Sequence, residues 1–119
     1  MGAYEPEYLY SDVVTATFSA NTTGKQLLVV TGNGTVGPSS ASSAAVVGVA
    51  AHDVAANADG SYYPRGKVHR STAAGAITAG ARVESAAAGA VASASAGVNN
   101  VGIALTTAAD TAEVLWMEI

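Results

Sequence analysis

No cysteine occurs among the 119 residues, which excludes both a disulfide framework and a thiolate metal site. Bulky apolar side chains are almost as scarce: one Trp, one Phe and two Met. The core must therefore be built from Val, Ala and Gly, which suits close backbone approach and not a deep pocket lined by large groups. Charge is sparse at 12% of residues, and only five are Lys or Arg. That is too few for the basic stripe a phosphate backbone requires, so nucleic acid is not an expected partner. No run of about 18 residues is free of polar interruption, so no membrane span is expected. The N-terminal MGAYEPEYLYSD lacks the basic and apolar regions of a signal peptide. A soluble protein is expected, made in a cytoplasm and not sent out by the general secretion route.

What is present divides into a short arm and a β-rich body of one-domain size. Residues 1–12 hold Tyr4, Tyr8 and Tyr10 beside Glu5, Pro6, Glu7 and Asp12. This segment reads equally as a loose tail or as an arm ordered on a partner, since Tyr gives large contact area at low entropic cost. From residue 13 on, β-branched runs alternate with turn residues. Val13 to Phe18, Gln26 to Thr31, Val46 to Ala50 and Gly66 to Arg70 read as strands, with turns at Ser19 to Lys25, Asn33-Gly34 and Asn57 to Gly60. The spacing predicts an all-β fold, a small barrel or sandwich of short strands. Two segments are ambiguous. Ala41 to Ala58 has helical propensity, opposed by Gly48 within it and by Ser39, Ser40, Ser42 and Ser43 at and before its start. At the C-terminus, Asp110-x-x-Glu113 resembles a capping box ahead of a helical face, while a strand would set Val114, Trp116 and Glu118 against Glu113, Leu115, Met117 and Ile119.

The body also echoes itself. Val47-Gly48-Val49-Ala50 returns as Val101-Gly102-Ile103-Ala104, Gly34-Thr35-Val36 parallels Gly89-Ala90-Val91, and Thr23 to Leu27 parallels Thr78 to Val83. Duplicated β-units, about 24–53 and 80–110, within a single domain of residues 13–119 are the better account of the order of these matches.

Several chemical readings compete for the glycines and polar groups. Gly32-x-Gly34-x-x-Gly37 follows an apolar run, and Asp53 comes about twenty positions on, as in a dinucleotide-binding unit. A crossover helix must then follow, and Pro38 to Ala45 is too short and too small in side chains to supply one. The three glycines read as turn residues. His52, Asp53 and His69 are too few to mark a metal site. No serine sits in a nucleophile elbow, no P-loop lysine is present, and Glu84 and Glu113 read as solvent-facing strand residues. The sequons at Asn21 and Asn33 carry little weight without a secretion signal. Tyr62-Tyr63-Pro64-Arg65 reads as a loop over the barrel mouth or as a contact patch. Neither catalysis nor a cofactor is expected.

Taken in order, VVGVAAHD (46–53), GKVHR (66–70), AITAGARV (76–83), GAV (89–91), VGIALTTAAD (101–110) and the closing apolar segment resemble the capsid cement, or head decoration, proteins of tailed bacteriophages. The resemblance spans about residues 24–119; the arm and the Ser-rich stretch 38–45 match nothing in it. It implies a small all-β domain, favours a strand over residues 112–119, and implies a homotrimer on the outer surface of the virion that clamps adjacent major capsid subunits. In that role Tyr4, Glu5, Tyr8, Tyr10, Tyr62, Tyr63 and Arg65 are the expected capsid or subunit contacts. A trimeric adhesion module, binding glycans through Tyr62, Tyr63 and Arg65, is the alternative.

Overall fold

The computed structural model describes residues 13–94 and 97–119. It is all-β. The strands are β1 (Val14–Phe18), β2 (Leu27–Gly32), β3 (Thr35–Pro38), β4 (Val46–Ala50), β5 (Asp59–Pro64), β6 (Val68–Thr72), β7 (Arg82–Ser85), β8 (Val91–Ser93), β9 (Asn100–Ala104) and β10 (Glu113–Glu118). A 3-10 turn, Ala87–Gly89, precedes β8.

Strands β1 to β5 close a barrel in the order β1-β3-β2-β4-β5, sealed by the parallel pairing of Thr17 with Thr35 and Phe18 with Val36. Strands β6 to β10 form a sheet in the order β6-β10-β9-β7-β8. Every partnership of the barrel has a counterpart in this sheet. The β1·β5, β2·β3, β2·β4 and β4·β5 ladders correspond to β6·β10, β7·β8, β7·β9 and β9·β10. Even the Thr22↔Val54 bridge recurs as Ile77↔Ala108. The closing contact differs: β6 reaches β8 only through the bridge Ala73↔Val91, so the second unit remains an open sheet.

Alternation along β2 explains how the units join. Leu28 faces the barrel interior with Phe18, Val36, Ala50 and Val54. Leu27 and Val29 point the opposite way, and with Val46 and Val49 they enter one cluster with Val83, Val101, Val114 and Trp116 of the second sheet. A strand buried on both faces reads as an unbroken apolar run, which is what Leu27-Leu28-Val29 is. Each side chain of this kind contributes about 1.5–3 kcal/mol on burial.

Several details depart from the sequence reading. Tyr62-Tyr63-Pro64 is the end of strand β5 and not a loop, because β4 and β1 pair with it from both sides. Gly37 lies within β3, while Gly34 occupies the β2–β3 turn at φ 74°. Glu84 is buried in β7, although its polar character suggested solvent. The Asp110-x-x-Glu113 box does not start a helix: Asp110 Oδ1 accepts a hydrogen bond from the Gly75 amide (2.8 Å), Thr111 takes φ 66°, and β10 follows.

Candidate contact surface

Of the expected contact residues, Tyr4, Glu5, Tyr8 and Tyr10 lie outside the described residues. Tyr62 and Tyr63 are neighbours on β5 and therefore project to opposite faces. Tyr62 packs against the barrel cluster and lines a cleft of about 200 Å3 with Val14, Val30, Thr35 and Val36. Tyr63 stacks at a tilt on His69, ring centroids 6.1 Å apart, and His69 lies 5.7 Å from Trp116. The structure thus does not gather Tyr62, Tyr63 and Arg65 into one saccharide-sized site.

Arg65 is exposed but folds back onto the end of β10. Its Nε and Nη2 donate to the Ile119 carbonyl at 3.0 and 2.6 Å, and Nε stands 3.8 Å from Glu118 Oε2. The Glu118 side chain is fully buried, with His69 Nε2 3.3 Å from Oε1. A carboxylate removed from water needs countercharge, and Arg65 is the cation that stands beside it. This corner ties the β5–β6 bend to the end of β10; the guanidinium is committed to that bond network.

The remaining polar candidates have structural partners. Gly32 to Thr35 form a hairpin turn with strand β3 directly after it, the arrangement that a dinucleotide fold lacks. Asp53 Oδ1 accepts from the Gly24 amide at 2.8 Å. The Ser61 amide donates to His52 Nε2 (3.2 Å), so Nδ1 carries the proton and donates to the Asp53 carbonyl (2.9 Å). Among the described residues, no three His, Asp or Glu groups converge to hold a metal ion. A cleft of about 450 Å3 lies between the two units, lined by Ala87 to Ala90 and by Lys25 and Glu113, which form an ion pair at 2.9 Å. The Lys25 hydrogen bond holds the Glu113 carboxyl below the usual carboxylate range. Its stabilising effect is present at neutral pH and is lost as pH falls through that lowered value, but for so exposed a pair it is small.

The model of the phage cement proteins matches residues 10–119. The chain belongs to the phage cement protein family. By shape, the chain is similar to the crystal structure of the head fiber gp8.5 N base in bacteriophage phi29, with TM-score 0.71 and 18% identity over 90% of this chain and 92% of that one. No curated protein matches.

Two features of this cement protein escaped the sequence reading. The Ser-rich stretch is a clip between the units. Ser39 Oγ donates to the Ala86 carbonyl (2.8 Å), Ser85 Oγ donates to the Ser40 carbonyl (2.8 Å), and the Ser42 amide donates to the Ser85 carbonyl (2.8 Å). Only the density of serines beside a Gly/Ala-rich partner hinted at it. The second feature is an apolar outer face on the second sheet: Val68 (54% exposed) lies across from Met117 (38%), with Leu105 and Ile119 also exposed. The strand reading of the C-terminus put Met117 and Ile119 on one face, but it did not show that this face is left uncovered.

Proposed function

We propose that this protein binds the outside of a phage capsid as a homotrimer and cements adjacent major capsid subunits, stabilising the head. The observation that carries this reading is the family match, which takes in all but the first nine residues. The body suits the role physically: two β-units share one core, so the molecule acts as a rigid wedge and not as a hinged pair. Large exposed apolar groups are concentrated on the second unit, where Val68, Val98, Leu105, Met117 and Ile119 are found, against Val30 on the first. Capsid contacts then fall to Tyr63, to the neighbouring apolar face, and to Tyr4, Glu5, Tyr8 and Tyr10 of the arm; Arg65 supports that corner more than it reaches out. Repeated weak contacts from a trimer add up through effective concentration.

Sedimentation of the purified chain, alone and with undecorated heads, tests this. The expected result is a trimer-mass species that co-sediments with heads saturably and raises the temperature at which they release DNA. A monomer that leaves head sedimentation and heat stability unchanged would overturn the proposal.

A further inference from the structure

Within the chain, the outer face of the first unit is laid on the open end of the second. Cross-strand partners share a face, so Tyr63, Val49 and Leu27 form one row: Tyr63 lies opposite Val49, and Val49 opposite Leu27. Tyr63 stands against His69, while Val49 and Leu27 join the buried cluster of Trp116. Beside them, Ser71 Oγ donates to the Lys25 carbonyl and Ser85 Oγ to the Ser40 carbonyl. The row and the end that receives it both recur, because the two units share one ladder pattern. Among the described residues, both recurrences are left open.

Ladder partners identify the counterparts. Val14 opposite Tyr62 answers to His69 opposite Trp116, and Ala16 opposite Gly60 to Ser71 opposite Val114. Val30 opposite Val36 answers to Ser85 opposite Val91. The end of the first unit that corresponds to the covered one is therefore the cleft of about 200 Å3, lined by Val14, Ala16, Val30, Val36 and Tyr62. Val30 in it is 50% exposed. The row that corresponds to Tyr63, Val49 and Leu27 is Met117, Ile103 and Arg82, with Val68 opposite Met117 at its far end. Met117, Val68 and Arg82 are exposed. Socket and row stand on different units held by one core, so a second molecule must bring them together.

We propose that Met117 and Ile103 of one molecule dock on the Val14, Val30 and Tyr62 socket of a second copy, as Tyr63 and Val49 dock on the second unit within the chain. The side chains match. Where the covered end carries the hydroxyls of Ser71 and Ser85, which bond to the first unit, the socket has Ala16 and Val30. It meets a row led by Met117, whose flexible side chain fills irregular gaps. Arg82 replaces Leu27 at the end of the row, and its stem can follow the contact while the guanidinium stays in water. A contact between unlike surfaces repeats until it closes a ring, and in a trimer six units would follow one another around it. The inference rests on the homotrimer proposed above and names the surfaces that build it. Of the exposed apolar face, Leu105 and Ile119 then remain for the capsid.

The cysteine-free sequence makes disulfide trapping a clean test. The contact of Tyr63 with His69 carries over to Met117 of one copy against Val14 of the next. Full chains with Val14→Cys and with Met117→Cys are mixed and oxidised, and their mass is read without reductant. A covalent dimer is expected to form at least about tenfold faster in the mixture than in either variant alone. No bond between chains, or self-pairing of Met117→Cys as fast as the mixture, overturns the proposal. Sedimentation supplies a second reading that needs no engineered cysteine. Met117→Glu and Val30→Glu alter exposed positions, and their thermal unfolding reports whether the fold is intact. Each is expected to weaken trimer formation at least about tenfold. A trimer that both variants leave unchanged overturns this inference alone, whereas an unsubstituted chain that stays monomeric overturns the trimer and the inference together.

Discussion

Replacing Trp116 by alanine is expected to cost about 3–5 kcal/mol of folding stability, a large fraction of the roughly 5–15 kcal/mol that holds a domain of this kind together. Trp116 is the largest fully buried side chain and belongs to the cluster shared by the two units. Its indole Nε1 donates to Ser71 Oγ at 2.9 Å, and that hydroxyl donates to the Lys25 carbonyl at 3.1 Å, so one side chain on β10 reaches the first unit through β6. Truncation opens a cavity and also unsettles this relay. Trp116→Phe keeps most of the volume and loses the donor, so its cost should fall well below that of alanine. The measurement is urea unfolding followed by far-ultraviolet circular dichroism, because Trp116 is the only tryptophan and its fluorescence disappears with it. A loss under about 1 kcal/mol for Trp116→Ala would mean that the shared cluster is not what joins the units.

Gly102→Ala should be nearly as damaging, at about 2–4 kcal/mol. A Cβ there would be driven onto the Met117 carbonyl oxygen and would meet Trp116 Cε3 at 2.8 Å. The same collision, against the Tyr63 carbonyl, awaits Gly48→Ala. Backbone atoms of a central ladder cannot move aside as the end of a flexible side chain can. Gly34→Ala is the useful contrast. A Cβ there meets nothing within 4 Å, and only the positive φ opposes it, so its cost should be about 1 kcal/mol. Thermal unfolding of the three variants should therefore rank Gly34→Ala as clearly the mildest. If all three melted alike, close approach of strands would not be the reason for the glycine in the two V-G-[VI]-A segments.

That repeated glycine marks how far the sequence could be read. The repeat of V-G-[VI]-A was legible because both segments meet the same packing constraint: the backbone of the neighbouring strand, β5 beside Gly48 and β10 beside Gly102, lies too close for a side chain. Strand positions such as Val46–Ala50 were legible from β-branched runs between turn residues. Tyr62-Tyr63-Pro64 was misread because proline and aromatics resemble loop chemistry, whereas Pro64 stands at the last position of β5, where a missing amide is tolerated. The two readings of residues 112–119 could not be separated locally, since a 3.6-residue and a two-residue period both divide these residues into two faces. The β6 and β9 ladders on either side of β10 decided it. The Arg65–Glu118–His69 corner was out of reach for a different reason. Its members come from two strands and the bend between the units, and nothing local in the sequence brings them together.

The same corner fixes where the described chain begins and leaves. Val14 lies opposite Tyr62, and Ile119 is gripped by Arg65, three residues further along. Both ends of the fold therefore emerge at one pole, beside Tyr63 and the exposed apolar face. A cargo fused to Ile119 would stand at that pole, so whether binding to phage heads tolerates it becomes a compass for the molecule's orientation. If that pole faces the shell, such a fusion blocks binding; if it faces outward, the cargo is displayed to solvent.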